Sequence, residues 1–211
     1  MAAIAVLLVS CRQDEWFEPS PVAREGYVAL RFSADIPAME KVTTRAVDPD
    51  GGGVQDMTLF CFDSYGLFIT TVTADVSPSS VSTGVFQAEV PENTRTVHFV
   101  ANQVMTEFQQ DHFRNKSESE VMALLEGSSG RMIYWARFAC DNTNEEMKKK
   151  SIADQMTSAG NSIKMLRNHA KVSVLNPKEN GHFIVTGFAV YNTSAFGTVA
   201  PFHPEKGFNF T

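Results

Sequence analysis

At 211 residues the chain has room for about 1.4 average domains, so one large or two small ones are expected. With 43% apolar and 20% charged residues it can bury a core, which argues against disorder. Its 24 carboxylates against 18 Lys and Arg give a formal charge of -6, which disfavours nucleic-acid binding, and no apolar run reaches the ~18 to 20 residues of a membrane-spanning helix.

The chain opens with an uncharged, almost wholly apolar stretch from Met1 to Ser10, and polarity switches abruptly at Arg12-Gln13-Asp14-Glu15. Too short to span a bilayer, the stretch matches the apolar core of an export signal. A buried N-terminal strand is the competing reading. Leu8-Val9-Ser10-Cys11 resembles a bacterial lipobox, in which the Cys thiol accepts an acyl chain and that residue becomes the new N-terminus. Cys11 is therefore the expected lipidation site, with residues 1–10 as signal peptide. Each buried lipid methylene contributes about 0.8 kcal/mol, so several acyl chains hold a soluble domain at a membrane surface. Residues 11–26, with Pro19 and Pro21 and no apolar period, read as a tether.

From Tyr27 onward the dominant period is two. Val28, Leu30, Phe32, Ala34 and Ile36 alternate with Ala29, Arg31, Ser33 and Asp35, as in a strand with one buried face. Gln55 to Phe62 and Leu67 to Thr73 read as further strands, joined by the hairpin turn Asp63-Ser64-Tyr65-Gly66. Val85 to Val90 and Thr96 to Ala101 follow, separated by the turn Pro91-Glu92-Asn93-Thr94. Ser117 and Glu120 stand at capping-box spacing, so a helix begins there, with Val121, Leu124 and Leu125 as its apolar stripe and Gly127 placed to end it. A strand is expected over Arg131 to Phe138 and a weaker helical segment over Asn144 to Gln155. Further strands are expected over Ser162 to Leu175 and His182 to Tyr191, the former with Leu166, Asn168, Ala170, Val172 and Val174 on one side. Short strands with one or two short helices predict a mainly β fold, an antiparallel β-sandwich of transthyretin-like, Greek-key type.

Patterns that carry chemistry are sparse. The histidines at positions 98, 112, 169, 182 and 203 lack helical i, i+4 partners and a zinc-protease Glu, so no metal site is expected. His98 and His169, inside strands, read as solvent-face or satisfied polar residues. Gly51-Gly52-Gly53 lacks the Lys and Ser or Thr of a phosphate loop and reads as linker. Asp48-Pro49-Asp50-Gly51 lacks the acidic pattern of a calcium loop. Lys148-Lys149-Lys150 follows Glu145 and Glu146 and reads as a solvated face, whereas Tyr134-Trp135 reads as core. Cys61 and Cys140 lie in apolar, strand-like runs, and two buried thiols are expected rather than a disulfide, although export would permit one. No serine stands in a Gly-x-Ser-x-Gly elbow, so neither an enzyme nor a cofactor is expected.

The order of several segments carries a resemblance. The lipobox and the alternating strand are followed by Thr43-Thr44-Arg45-Ala46 and then Met57-Thr58-Leu59-Phe60-Cys61-Phe62-Asp63-Ser64-Tyr65-Gly66. Val90-Pro91-Glu92-Asn93-Thr94-Arg95-Thr96-Val97-His98-Phe99-Val100-Ala101-Asn102 comes next, then Met165-Leu166-Arg167-Asn168-His169-Ala170-Lys171-Val172-Ser173-Val174, and last Gly187-Phe188-Ala189-Val190-Tyr191-Asn192-Thr193. In this order they resemble the N-terminal domain of the Bacteroidia-type fimbrillin superfamily of shaft, anchor and tip or accessory subunits. Residues 27–211 would form that domain, and the second, C-terminal domain usual in the family is expected to be missing.

The resemblance implies an outer-membrane lipoprotein carried to the cell surface and built into a fimbrium that mediates adhesion. It implies cutting by an arginine-specific protease in the loop after the first strand, between Arg45 and Ala46. Loss of Tyr27 to Ile36 would uncover an apolar groove with unpaired backbone groups, which a donor strand from a neighbouring subunit fills. The implied partners are other fimbrial subunits, the protease, the outer membrane through the lipid, and a host protein or glycan. Arg131-Met132-Ile133-Tyr134-Trp135 and Arg167-Asn168-His169-Ala170-Lys171 look more like tip or accessory members than shaft ones. The alternative is a surface lipoprotein that binds glycan or host protein without polymerising.

Overall fold

Period-two runs rich in β-branched and aromatic residues fold as the strands of the described chain. The computed structural model describes residues 23–36, 54–76, 85–103, 111–127, 132–168, 186–187, 189–191, 197–203 and 207–208. A four-stranded sheet holds β1 (Tyr27–Asp35), β4 (Asp75–Val76), β5 (Val85–Pro91) and β8 (Ser162–Lys164), in the order β4-β5-β1-β8. A five-stranded sheet holds β2 (Met57–Phe62), β3 (Phe68–Thr73), β6 (Thr96–Ala101), β7 (Tyr134–Ala139) and β9 (Leu166–Arg167), in the order β3-β2-β6-β7-β9. A separate small ladder joins β10 (Phe202–His203) to β11 (Gly207–Phe208). All described pairs are antiparallel except β1 with β8. The fold is mostly β, as expected, with two facing sheets around one core.

That core joins Leu30, Phe32 and Ala34 of β1 and Phe86, Ala88 and Val90 of β5 to Met57, Leu59, Val97 and Phe99 of the other sheet. The five-stranded sheet is also covered on its outer side. There Phe60, Phe62, Val100 and Trp135 meet Phe113, Val121, Met122 and Leu125. This second burial explains why every residue of β2 and β6 is buried, whereas β1 alternates.

The β2–β3 hairpin forms where expected. Asp63 Oδ1 accepts from the amides of Tyr65 at 2.8 Å and Leu67 at 2.9 Å, and Gly66 takes φ +72°, a conformation that disfavours a Cβ. Helix α1 (Glu118–Leu124) has the predicted capping box, with Ser117 and Glu120 bonded reciprocally. Its buried stripe differs from expectation. Val121, Met122 and Leu125 face inward and Leu124 is exposed. Nor does Gly127 end the helix: Leu125 is already extended, because its carbonyl accepts from the amide of Val199 and Glu126 bridges to Thr198.

The helical segment expected over Asn144 to Gln155 is two helices, α2 (Glu145–Lys149) and α3 (Ile152–Ser158). Ser151 and Asp154 form a second capping box, which starts a new helix and breaks the first. The strand expected from Arg131 begins at Tyr134, since side chains occupy the preceding backbone: Asn168 Oδ1 accepts from the Ile133 amide and Asn102 Nδ2 donates to the Met132 carbonyl. The long strand expected over Ser162 to Leu175 is split. Met165 donates its amide to Asp35 in one sheet, and Leu166 pairs with Trp135 in the other. The crossing resets the phase, burying Ile163 and Met165 and exposing Leu166, while Ala170, Val172 and Val174 lie outside the described residues. Of the strand expected over His182 to Tyr191, the described residues 186–187 and 189–191 carry none.

Candidate functional site

The first strand lies inside its sheet, not at an edge. β1 pairs antiparallel with β5 from Tyr27↔Pro91 to Ser33↔Val85, and on its other flank pairs parallel with β8 from Ser33↔Ser162 to Asp35↔Lys164. Its inward side chains enter the centre of the sandwich: Leu30 and Ala34 are 2% exposed and Phe32 is 1% exposed. The Phe32 ring stacks on Phe86 at 5.6 Å and meets Phe99 edge-on at 4.8 Å, so it joins both sheets. The groove that holds β1 thus has β5 as one wall, β8 as the other and β6 as floor.

The end of the segment read as tether is docked to this strand. Arg24 lies over the Tyr27 ring at 3.6 Å and its Nε reaches Glu89 at 3.3 Å, while Gly26 accepts a backbone hydrogen bond from Glu92. Cys11, Arg45 and Ala46 lie outside the described residues, as do His169, Gly51-Gly52-Gly53 and Asp48-Pro49-Asp50.

A second constellation lies under α1 on the outer side of the five-stranded sheet. His98 is fully buried. The Trp135 indole donates to its Nδ1 at 3.1 Å, so the neutral ring carries its proton on Nε2 and donates to Glu118 Oε1 at 2.6 Å. Arg137, across the ladder from His98, donates from Nε to the same carboxylate at 2.6 Å. Burial lowers the His98 pKa below its ordinary value and outweighs the raising effect of Glu118. Burial alone would raise that of Glu118, but hydrogen bonds from His98 and Arg137, with the Arg137 charge, bring it down to about 2. The cluster is therefore neutral His, carboxylate and guanidinium at neutral pH. Both ring nitrogens are engaged inside the protein, so the imidazole anchors α1 to the sheet and exposes no base to solvent.

From the sequence His98 reads as a solvent-face or satisfied polar residue, and the second holds; nothing there points to Glu118 or Arg137 as its neighbours. The available signal was a His in phase with Phe60, Phe62 and Val100 on a face that proves apolar. Cys61 and Cys140 are free, buried thiols, as expected, and burial pushes Cys61 up to about 12 against the lowering effect of Thr94. Tyr134 and Trp135 are core residues. Lys148 and Lys150 pair with Glu145 and Glu146 on an exposed face. Among the described residues, no group of three His, Cys, Asp or Glu could hold a metal ion.

No protein-family model matches the chain. Two curated proteins, each called major fimbrium tip subunit FimE and both from Porphyromonas gingivalis, are 28% identical to it over 208 residues, 97% of this chain and 34% of theirs. The chain thus spans about a third of the length of the curated relatives it matches. A crystal structure of a fimbrial assembly protein from Parabacteroides distasonis aligns over 67% of this chain and 54% of its own, with 7% identity and a TM-score of 0.35. The sequence similarity to the tip subunit supports the fimbrillin-type resemblance.

Proposed function

We propose that this chain is part of a cell-surface fimbrial subunit of the tip or accessory class. It is exported as a lipoprotein acylated at Cys11, and an arginine-specific protease cuts it between Arg45 and Ala46. The cut releases the first strand, and a donor strand from a neighbouring subunit takes its place, so proteolysis is the assembly switch. Its role is structural and adhesive, with other fimbrial subunits as partners and a host protein or glycan as ligand.

The observation that carries this reading is the place of β1 between β5 and β8, with Leu30, Phe32 and Ala34 in the core. A strand there leaves behind an apolar slot with open backbone groups on both flanks, which a foreign strand can complete. The tip-subunit similarity over 97% of the chain supports the fimbrial assignment. Incubation of the purified precursor with an arginine-specific protease tests it. A single early cut after Arg45 followed by SDS-resistant complexes with fimbrial subunits is expected; a monomer after complete cutting refutes strand exchange. Palmitate labelling of wild type and Cys11→Ala tests the anchor separately, and equal labelling removes it.

A further inference from the structure

The strand already in the groove shows what the groove can hold. We propose that it selects an incoming strand by three inward side chains: an aliphatic residue of Leu size, an aromatic residue two places on, and a residue no larger than Ala two places further. The inference rests on the strand-exchange reading and adds the chemistry of the partner.

The middle position is the anchor. Phe32 sits directly opposite Phe86 in the ladder and edge-on to Phe99 across the core, so rings from both sheets line its pocket. Offset and edge-on ring pairs are favourable beyond the area they bury, which an aliphatic side chain cannot reproduce. Leu30 faces Ala88, and that small partner leaves the room that Leu30 fills.

The third position works by exclusion. Beside Ala34 the strand is held on its second flank, with Ile163 of β8 as its neighbour in the ladder. The Asn161 carbonyl accepts from both the amide of Ser33 at 2.8 Å and its hydroxyl at 3.4 Å, and the Met165 amide donates to Asp35 at 2.9 Å. Gly160 and Asn161 both take left-handed conformations, at φ 91° and 54°, which fix this clasp. Behind it α3 packs on β1, with Ile152 and Met156 buried in the same core. A larger side chain here forces the wall to move, which a close-packed core resists. Specificity therefore combines attraction at one position with rejection at another. Outward residues such as Arg31, exposed on the far side, take no part.

The test uses the full chain with a recognition sequence for a site-specific protease placed within residues 37–53, so it does not depend on Arg45. After cutting, the protein is incubated with fluorescent peptides carrying the sequence Tyr27 to Ile36, unchanged or with Phe32→Ala, Ala34→Phe or Arg31→Ser, and bound peptide is measured by gel filtration. The unchanged peptide is retained, Phe32→Ala weakens retention about a hundredfold, and Ala34→Phe weakens it about tenfold. Arg31→Ser stays within about twofold. Equal retention of all the peptides overturns the selection pattern and leaves strand exchange standing. Failure of every peptide, the unchanged one included, refutes strand exchange and the selection pattern with it.

Discussion

Glu118→Ala removes the acceptor on which the buried anchor converges. Three N–H groups lose it at once: the Nε2–H of fully buried His98 and the Nε–H of Arg137, each at 2.6 Å, and an Nη2–H of Arg137 at 3.3 Å. Hydrogen bonds to charged groups contribute about 1.5–3 kcal/mol, and leaving a buried donor unmatched costs about 1–3 kcal/mol. Arg137 is partly exposed and can turn toward water, so His98 carries most of the loss, and about 3 kcal/mol is expected in all. Acid supplies a second arm. The Glu118 pKa is depressed from 4.5 to about 2, so its contribution is complete above pH 4.5 and is lost as pH falls toward 2. Discounted for solvent screening, that shift is worth about 2 kcal/mol. His98, whose pKa is lowered from 6.5 by burial, destabilises wild type and variant alike as pH drops below 6.5, so it does not narrow the gap between them. Urea unfolding followed by circular dichroism should show the wild-type advantage over Glu118→Ala narrowing by at least about 1 kcal/mol between pH 7 and pH 3. A gap below about 1 kcal/mol at pH 7, or one that does not change with pH, refutes the claim that ionised Glu118 holds the anchor together.

Phe32→Ala should destabilise the chain by about 3–5 kcal/mol, since it empties a site bounded by two rings, whereas Arg31→Ser should stay within about 0.5 kcal/mol. The urea midpoints of the two variants check this, and equal midpoints contradict the inward and outward assignment. Ser117→Ala should cost about 1 kcal/mol through the lost α1 cap, with Ser117→Asp recovering most of it in the same assay. In a Cys11→Ala background, Cys61 and Cys140 should react with a disulfide-exchange reagent at pH 8 only after denaturant is added, because burial raises both thiols. Prompt labelling of the native protein would show that one of them is open to solvent.

The legible elements are those whose cause is local. β1 announces itself by strict alternation, the β2–β3 hairpin by Asp63 and Gly66, and α1 by Ser117 with Glu120. The break between α2 and α3 was also written locally, in Ser151 and Asp154, but helical periodicity on both sides concealed it. What was not legible depends on partners far along the chain. Leu166 faces outward because the chain crosses between sheets at Met165, and no nearby residue announces that crossing. Leu124 gives up its place in the helix stripe to Met122 because the cover over the outer sheet comes from Phe113, Val199 and Ala200. His98, Glu118 and Arg137 converge through strand pairing and helix docking, so no short spacing could have joined them.

The proposed exchange demands a groove that survives without its strand, and the connectivity meets that demand. Among the described residues β1 pairs with β5 and β8, both distant in sequence, so its departure cuts no described local hairpin. Each wall of the groove continues into the other sheet: β5 runs into β6 through residues 92–95, and two further crossings each pass through one buried residue. β4, which pairs with β5, joins β3 through Ala74, and β8 joins β9 through Met165. Both of these crossings have backbone hydrogen bonds, but of opposite kinds. The Ala74 amide bonds to Met57 within the five-stranded sheet and keeps its hold when β1 leaves; the Met165 amide bonds to Asp35 of β1 itself and loses it. The two walls are therefore unequal. In the proposed exchange β5 would be the template against which an incoming strand pairs first, and β8 with α3 the side that closes afterwards. Pairing in that order places the aromatic anchor against Phe86 before the small residue beside Ile163 is tested, so a strand with an oversized side chain there would dock and fail to lock.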